Sequence, residues 1–372
     1  MNPFNDFNLS PQLKKKLAAA NFITPTPVQA AAIPPALEGR DILATAQTGT
    51  GKTLSFLVPM IERLARNPGK GIKALVLLPT RELAMQVQTA YSKLGANHGS
   101  ALIVGGLAER PQLDAIRRGA SVLIATPGRL EDFLKRRLMR LDQVQMLVLD
   151  EVDRMLDMGF KPAIQRIVST LPTERQTLCY SATLDKQVKE AVHDYLRQPA
   201  RIEIGSVLRP SENVKLRAFE VPTAKKQMLL EHLLQSEEGS FLVFVRTKHG
   251  ADRVAQKLGR SGWQATRIHG DRTQAQRTAA LRSFSQGQHR VLVATDVAAR
   301  GIDVEHVAHV VNYDLPKVAE DFVHRVGRTG RAQKRGVAST FASPEEKGEL
   351  RRMEKTLSIQ MERFRVKELA TA

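Results

Sequence analysis

Residues 145–160 read QMLVLDEVDRMLDMGF, and the contrast between the two halves of this stretch points to the fold. MLVL is apolar at four successive positions, so an extended chain there needs cover on both faces, as a parallel strand between two helical layers has. The run then ends in Asp150, Glu151, Val152 and Asp153. A strand of this kind sets its trailing carboxylates on the carboxyl edge of a parallel sheet, where ligands of such folds bind. Beyond them RMLDMGF has helical spacing, and Met155 and Met158 are expected to pack in a core rather than meet a ligand.

The same form recurs on both sides. DILATA, IKALVLLP, SALIVGG, SVLIATP, QTLCYSAT and ARIEIG are short runs of the same kind, and helical patterns such as RELAMQVQTAYSKLG and LDKQVKEAVHDYL follow most of them. The rhythm breaks at GSVLRPSENVK, residues 205–215, where Gly, Pro, Ser and Asn cluster. It resumes with KLRAFEVP, SFLVFVRT, WQATRIHG, HRVLVATD, HVAHVVNYD and GVASTFAS. The pattern predicts an α/β chain of two units, residues 1–205 and 216–372 around a linker at 206–215, each a mainly parallel sheet with helices on both faces. A last helical stretch over residues 344–369 is expected to dock on the second unit, and Trp263 to pack at a strand end.

Composition narrows the partners. With 56 Lys and Arg against 38 Asp and Glu, the 372 residues carry a formal charge of +18, which favours a polyanion. The basic residues are spread through patterned sequence instead of forming a tail or one amphipathic helix, so nucleic acid suits them better than a membrane surface. Cys179, the only cysteine, lies in an apolar run, so no disulfide within the chain is possible and a reducing compartment is expected. No apolar segment is long enough to span a bilayer, the start lacks a secretory signal, and the nine histidines show no metal-ligand spacing. These features predict a soluble cytoplasmic protein with a monomeric core and no accessory tail.

In the first unit DILATA runs into AQTGTGKT, residues 46–53, and then into a helical pattern. A Gly-rich turn between strand and helix brings backbone N–H groups and the positive helix end to phosphate oxygens. Thr48, Gly49, Thr50 and Gly51 would form that cradle, Lys52 would reach the β- and γ-phosphates, and Thr53 would bind Mg²⁺; the usual leading glycine is Ala46 here. Asp150 can hold the same metal and Glu151 can orient or deprotonate an attacking water, while Asp153 stands too far off and would fix neighbouring loops. The second unit has no phosphate loop. Its HRVGRTGR, residues 324–331, interleaves cationic side chains with two glycines, and ATDVAARGID upstream supplies Arg300 and, in Asp303, a possible ribose partner.

Taken together and in order, these motifs resemble those of the DEAD-box ATP-dependent RNA helicases, over residues 4–343. The resemblance implies two tandem RecA-like domains, with ATP and Mg²⁺ as nucleotide and metal. It implies that Gln29 of TPTPVQ reads adenine and that Phe4 stacks on it, that Ser181 and Thr183 of SAT couple hydrolysis to strand separation, and that Arg328 and Arg331 are arginine fingers. RNA contacts would come from Thr80, Arg81, Gly105, Gly106, Thr126 and Arg129, and then from Gln274, Arg277, Thr295 and Arg300. The chain departs from the family pattern at Val152, usually alanine, and at Asn21, usually glycine. The implied activity is an RNA-stimulated ATPase that locally opens short duplexes. Its alternatives are an ATP-dependent RNA clamp or annealing chaperone, and a DNA translocase.

Overall fold

The computed structural model of the chain describes residues 3–46, 50–67, 69–94, 98–204, 210–299, 307–330 and 335–365. The chain divides into two compact units between residues 206 and 207. The first sheet comprises β1 (Ile42–Thr45), β2 (Ala74–Leu77), β3 (Ser100–Ile103), β4 (Val122–Ala125), β5 (Met146–Leu149), β6 (Gln176–Ser181) and β7 (Ala200–Glu203). They lie in the order β3-β4-β2-β5-β6-β1-β7, every neighbour parallel. The all-parallel arrangement explains the unbroken apolar runs. Along β1, for example, Ile42 and Ala44 enter one buried cluster with Val76, Val148 and Tyr180, while Leu43 enters the other with Leu75, Leu147 and Cys179.

The second sheet comprises β8 (Val214–Glu220), β9 (Phe241–Phe244), β10 (Ala265–Ile268), β11 (Val291–Ala294), β12 (His309–Asn312), β13 (Gly336–Ala342) and β14 (Glu362–Arg365). Its order is β10-β11-β9-β12-β13-β8-β14, again parallel throughout. Leu242 and Phe244 of β9 face one core, and Phe241 and Val243 the other. Trp263 packs against the second of these cores, as expected of a strand end, with the Arg290 guanidinium 5.5 Å from its ring. Met155 is fully buried and Met158 partly so.

Two expectations are corrected. β8 begins at Val214, inside the span read as linker, because Ser211 accepts the Val214 N–H at 3.0 Å and turns the chain into the sheet. The last described helix, Lys347–Leu357, stops twelve residues short of position 369: Ser358 takes a left-handed φ of 50°, and the chain forms β14 instead. In β14 Glu362 and Arg363 are exposed and Phe364 stacks on Phe219 at 5.0 Å. No described helix is long and apolar enough to cross a membrane.

Candidate nucleotide and RNA site

All strands of the first sheet run the same way, so every motif that follows a strand lies on one edge. In sheet order that edge carries Gly105 and Gly106 after β3, Thr126 after β4, and Thr80 and Arg81 after β2. It continues with Asp150 after β5, Ser181 to Thr183 at the end of β6, and the phosphate loop after β1. The proposed RNA contacts thus occupy one half of the edge and the nucleotide residues the other. The DEVD carboxylates stand between them.

At the nucleotide end, the helix Lys52–Arg66 starts from Gly51 at φ 94°, a conformation that glycine adopts without strain. Space requires glycine there as well, since a Cβ would collide with the Gln29 amide and the Thr26 hydroxyl. Gln29 donates to the Gly51 carbonyl at 3.0 Å and accepts from the Thr26 N–H at 2.8 Å. Its side chain therefore closes the cap of its own helix and holds the phosphate loop, in addition to any contact with a base. Lys52 is buried, yet its ammonium has no hydrogen-bond partner among the described residues. A buried unpaired ammonium is costly, and a phosphate is the partner that would offset it. Thr48 and Gly49 lie outside the described residues.

The carboxylate end is equally tight. Asp150 is 3 % exposed, and burial pushes its pKa up to about 6, against the pull of the Lys52 charge. A divalent cation would reverse the effect of burial, so a buried carboxylate on the edge shared with the phosphate loop fits Mg²⁺. Glu151 sits at φ 53°, strained for a residue with a side chain, and Arg154 fixes one of its carboxylate oxygens at 3.2 Å with both groups buried. Asp153 ties β5 to β6, its Oδ2 accepting from the Ala182 N–H at 3.0 Å and the Thr183 N–H at 3.2 Å. Its own N–H donates to Ser181 Oγ at 3.3 Å. Val152 is buried in the apolar cluster beneath the sheet.

Phe4 departs from its expected role. It is only 3 % exposed, edge-on to Phe7 at 5.7 Å, and has no free face for a base. The exposed aromatic is Phe22, 40 % accessible on the turn leading into TPTPVQ. Asn21 before it has φ 60°, which explains the departure from glycine, since asparagine is among the few residues that tolerate this region.

At the RNA end, Arg81 packs against Gly105 and Gly106, whose missing side chains leave room for the guanidinium. Thr80 caps its helix by accepting from the Leu83 N–H at 3.3 Å. Thr126 is buried at the start of the helix Pro127–Lys135, and Arg129 lies 3.8 Å from Glu109 while donating to the Leu107 carbonyl at 3.4 Å. Arg129 is therefore partly neutralised in this state.

In the second unit, Gln274 and Arg277 open the helix after β10, and Thr295 follows β11. Arg328 is buried and donates from Nε to the His324 carbonyl at 3.3 Å. Arg300, Asp303 and Arg331 lie outside the described residues. Sequence reasoning missed Arg325 of the same motif. It is buried against Asp296, next to Thr295, with hydrogen bonds of 2.5 and 2.7 Å, and it also donates to Asn312 Oδ1 at 3.2 Å and the Asp314 carbonyl at 2.7 Å. The signal was present, because Arg325 shares HRVGRTGR with Arg328 and Asp296 shares ATDVAARGID with Thr295. This network joins the strand ends that carry Thr295 to the helix that leads into Arg328.

The comparisons agree with this geometry. Residues 26–191 match the DEAD/DEAH box helicase family and residues 224–333 the helicase conserved C-terminal domain. The chain is 42% identical over 366 residues to the DEAD-box ATP-dependent RNA helicase CshA of Bacillus subtilis, covering 97% of this chain and 74% of that protein. It is 45% identical over 350 residues to DEAD-box ATP-dependent RNA helicase 30 of Arabidopsis thaliana, covering 92% of this chain but only 59% of the relative's length. A structure of S. cerevisiae Dbp5 bound to RNA and ADP BeF3 superposes with a TM-score of 0.90 at 32% identity, covering 98% of this chain and 96% of that one. Mss116p bound to single-stranded RNA and AMP-PNP gives 0.87 at 27% identity, covering 97% and 78%. With identity of this degree running the length of both RecA-like units, the chain belongs to the DEAD-box ATP-dependent RNA helicase family.

Proposed function

We propose that the chain is an RNA-stimulated ATPase that grips RNA by its backbone and separates short duplexes locally. The observation that carries this reading is the shared sheet edge, where Asp153 of the catalytic strand end accepts hydrogen bonds from Ala182 and Thr183. The relatives are named RNA helicases, and two of the solved structures carry RNA with an ATP mimic.

Lys52 binds the β- and γ-phosphates, Thr53 and Asp150 hold Mg²⁺, and Glu151, fixed by Arg154, orients the attacking water. The metal, when bound, neutralises charge on the transferring phosphoryl group. Gln29 reads the base, and Phe22 offers the aromatic face that Phe4 lacks. Asp303 meets the ribose, and Arg328 and Arg331 supply positive charge to the γ-phosphate. Thr80, Arg81, Gly105, Gly106, Thr126, Arg129, Arg277, Thr295 and Arg300 hold phosphates and sugars, so affinity depends little on base sequence. One buried cysteine suits a cytoplasmic setting.

The test is strand displacement beside annealing on RNA duplexes of increasing length. ATP-dependent displacement should fall steeply beyond about one helical turn, because each base-pair step is worth roughly 1.4 kcal/mol of stacking in DNA, a guide for RNA. Annealing without displacement would favour a clamp or chaperone instead.

A further inference from the structure

The helix Lys248–Arg260 buries Ala251, Val254, Ala255 and Leu258, and turns its other face outward. That exposed face carries His249, Arg253, Gln256, Lys257 and Arg260. His249, Arg253, Lys257 and Arg260 follow one another at steps of four, four and three residues, so they form a single stripe about 16 Å long at 1.5 Å per residue. The helix's one acidic residue, Asp252, points away to pair with Arg267 and His269 of the β10 region. Glu231 of the neighbouring helix is engaged by Gln227 at 2.7 Å and Ser261 at 3.0 Å. Among the described residues, none of the four stripe side chains has a carboxylate within ion-pair distance.

The position of the stripe matters as much as its charge. The helix begins where β9 ends, on the same carboxyl edge as Thr295 and Gln274, and Lys248 bonds Asp271 of the loop after β10 at 2.8 Å. The stripe therefore starts beside the expected RNA contacts of this unit and leads away from them. Its outward face has no apolar anchor, whereas protein interfaces concentrate aromatic residues and are poor in lysine. Phosphates need only the charge, and about 16 Å spans roughly five phosphate steps of a helical strand.

We propose that the outer face of Lys248–Arg260 is a second phosphate-binding track, which takes RNA that continues beyond the segment held at the sheet edge. The inference rests on the RNA-binding reading above, and its test separates the two. In the full chain, Arg253→Gln, Lys257→Gln and Arg260→Gln are combined. A control combines Arg351→Gln, Arg352→Gln and Lys355→Gln on the helix Lys347–Leu357, removing the same net charge from a face that also bears Glu349. Affinity is measured for single-stranded RNA oligonucleotides of increasing length, with a non-hydrolysable ATP analogue, at 50 and 200 mM salt.

The shortest oligonucleotide that stimulates ATP hydrolysis should bind all three proteins alike. On long RNA only the stripe variant should fall behind. If each of the three cations neutralises one phosphate, its salt slope should be shallower by about 2, so that the wild type's advantage shrinks roughly 20-fold between the two salts. Equal length dependence in the stripe variant and wild type would overturn the track. Equal losses in both variants would also overturn it, by leaving only the overall field of the protein. Failure of short RNA to bind or stimulate the wild type would instead remove the underlying RNA reading.

Discussion

Lys52 and Glu151 lie on one sheet edge but have opposite surroundings, and their variants should differ accordingly. The Lys52 ammonium is buried with no hydrogen-bond partner among the described residues, so its natural partner is the ligand. Lys52→Ala should weaken ATP binding itself, read by titration with a fluorescent nucleotide. Glu151 is already braced by Arg154 in a strained backbone conformation, which fits a group that must be aimed before substrate arrives. Glu151→Gln should bind ATP and RNA normally and lose turnover; normal hydrolysis would end its role as the group that handles water. Val152 points into the apolar cluster. Val152→Ala should cost about 1–3 kcal/mol in chemical denaturation and leave ATPase within a few-fold of wild type. Its departure from the family's alanine is then a matter of packing. A stably folded Val152→Ala protein that lost turnover would contradict that view.

Elements place these residues through their ends. The turn from β1 into Lys52–Arg66 depends on Gly51, where a left-handed φ and the Gln29 amide both exclude a side chain. Gly51→Ala should therefore cost about 1–2 kcal/mol in backbone strain and lower ATP affinity, because the Gln29 bond to the loop must break; unchanged affinity would show that Gln29 does not hold the loop. Much at this scale was legible in sequence. The apolar runs predicted thirteen of the fourteen described strands, because burial on both faces of a parallel sheet leaves a continuous signature. The failures have local causes. Residues 358–365 retain enough charge and apolar spacing to resemble more helix, but a left-handed Ser358 and the pairing of Phe364 with Phe219 decide for a strand. Phe4 read as a stacking residue, and nothing in the order of residues could show that Phe7 and the core would cover it. Arg325 escaped notice because its importance lies in a partner 29 residues away, which only the folded sheet brings within 2.5 Å.

Across the whole molecule, two parallel sheets of the same build carry different loads. The first carries the proposed nucleotide and RNA residues on one edge, joined by the Asp153 bonds to Ala182 and Thr183, and the second carries arginines and further proposed RNA contacts without a phosphate loop of its own. Chemistry that depends on both units is expected to be slow until RNA favours the competent state. The excess charge of +18 makes some attraction to any polyanion inevitable, so binding alone is a weak test. Stimulation of hydrolysis is a stronger one. The direct measurement is steady-state ATP turnover of the full chain, titrated with single-stranded RNA and with DNA of identical sequence and length at one salt concentration. The account predicts that RNA raises turnover many-fold and saturably, while DNA binds but stimulates little. Equal stimulation by DNA, or turnover indifferent to both, would contradict it.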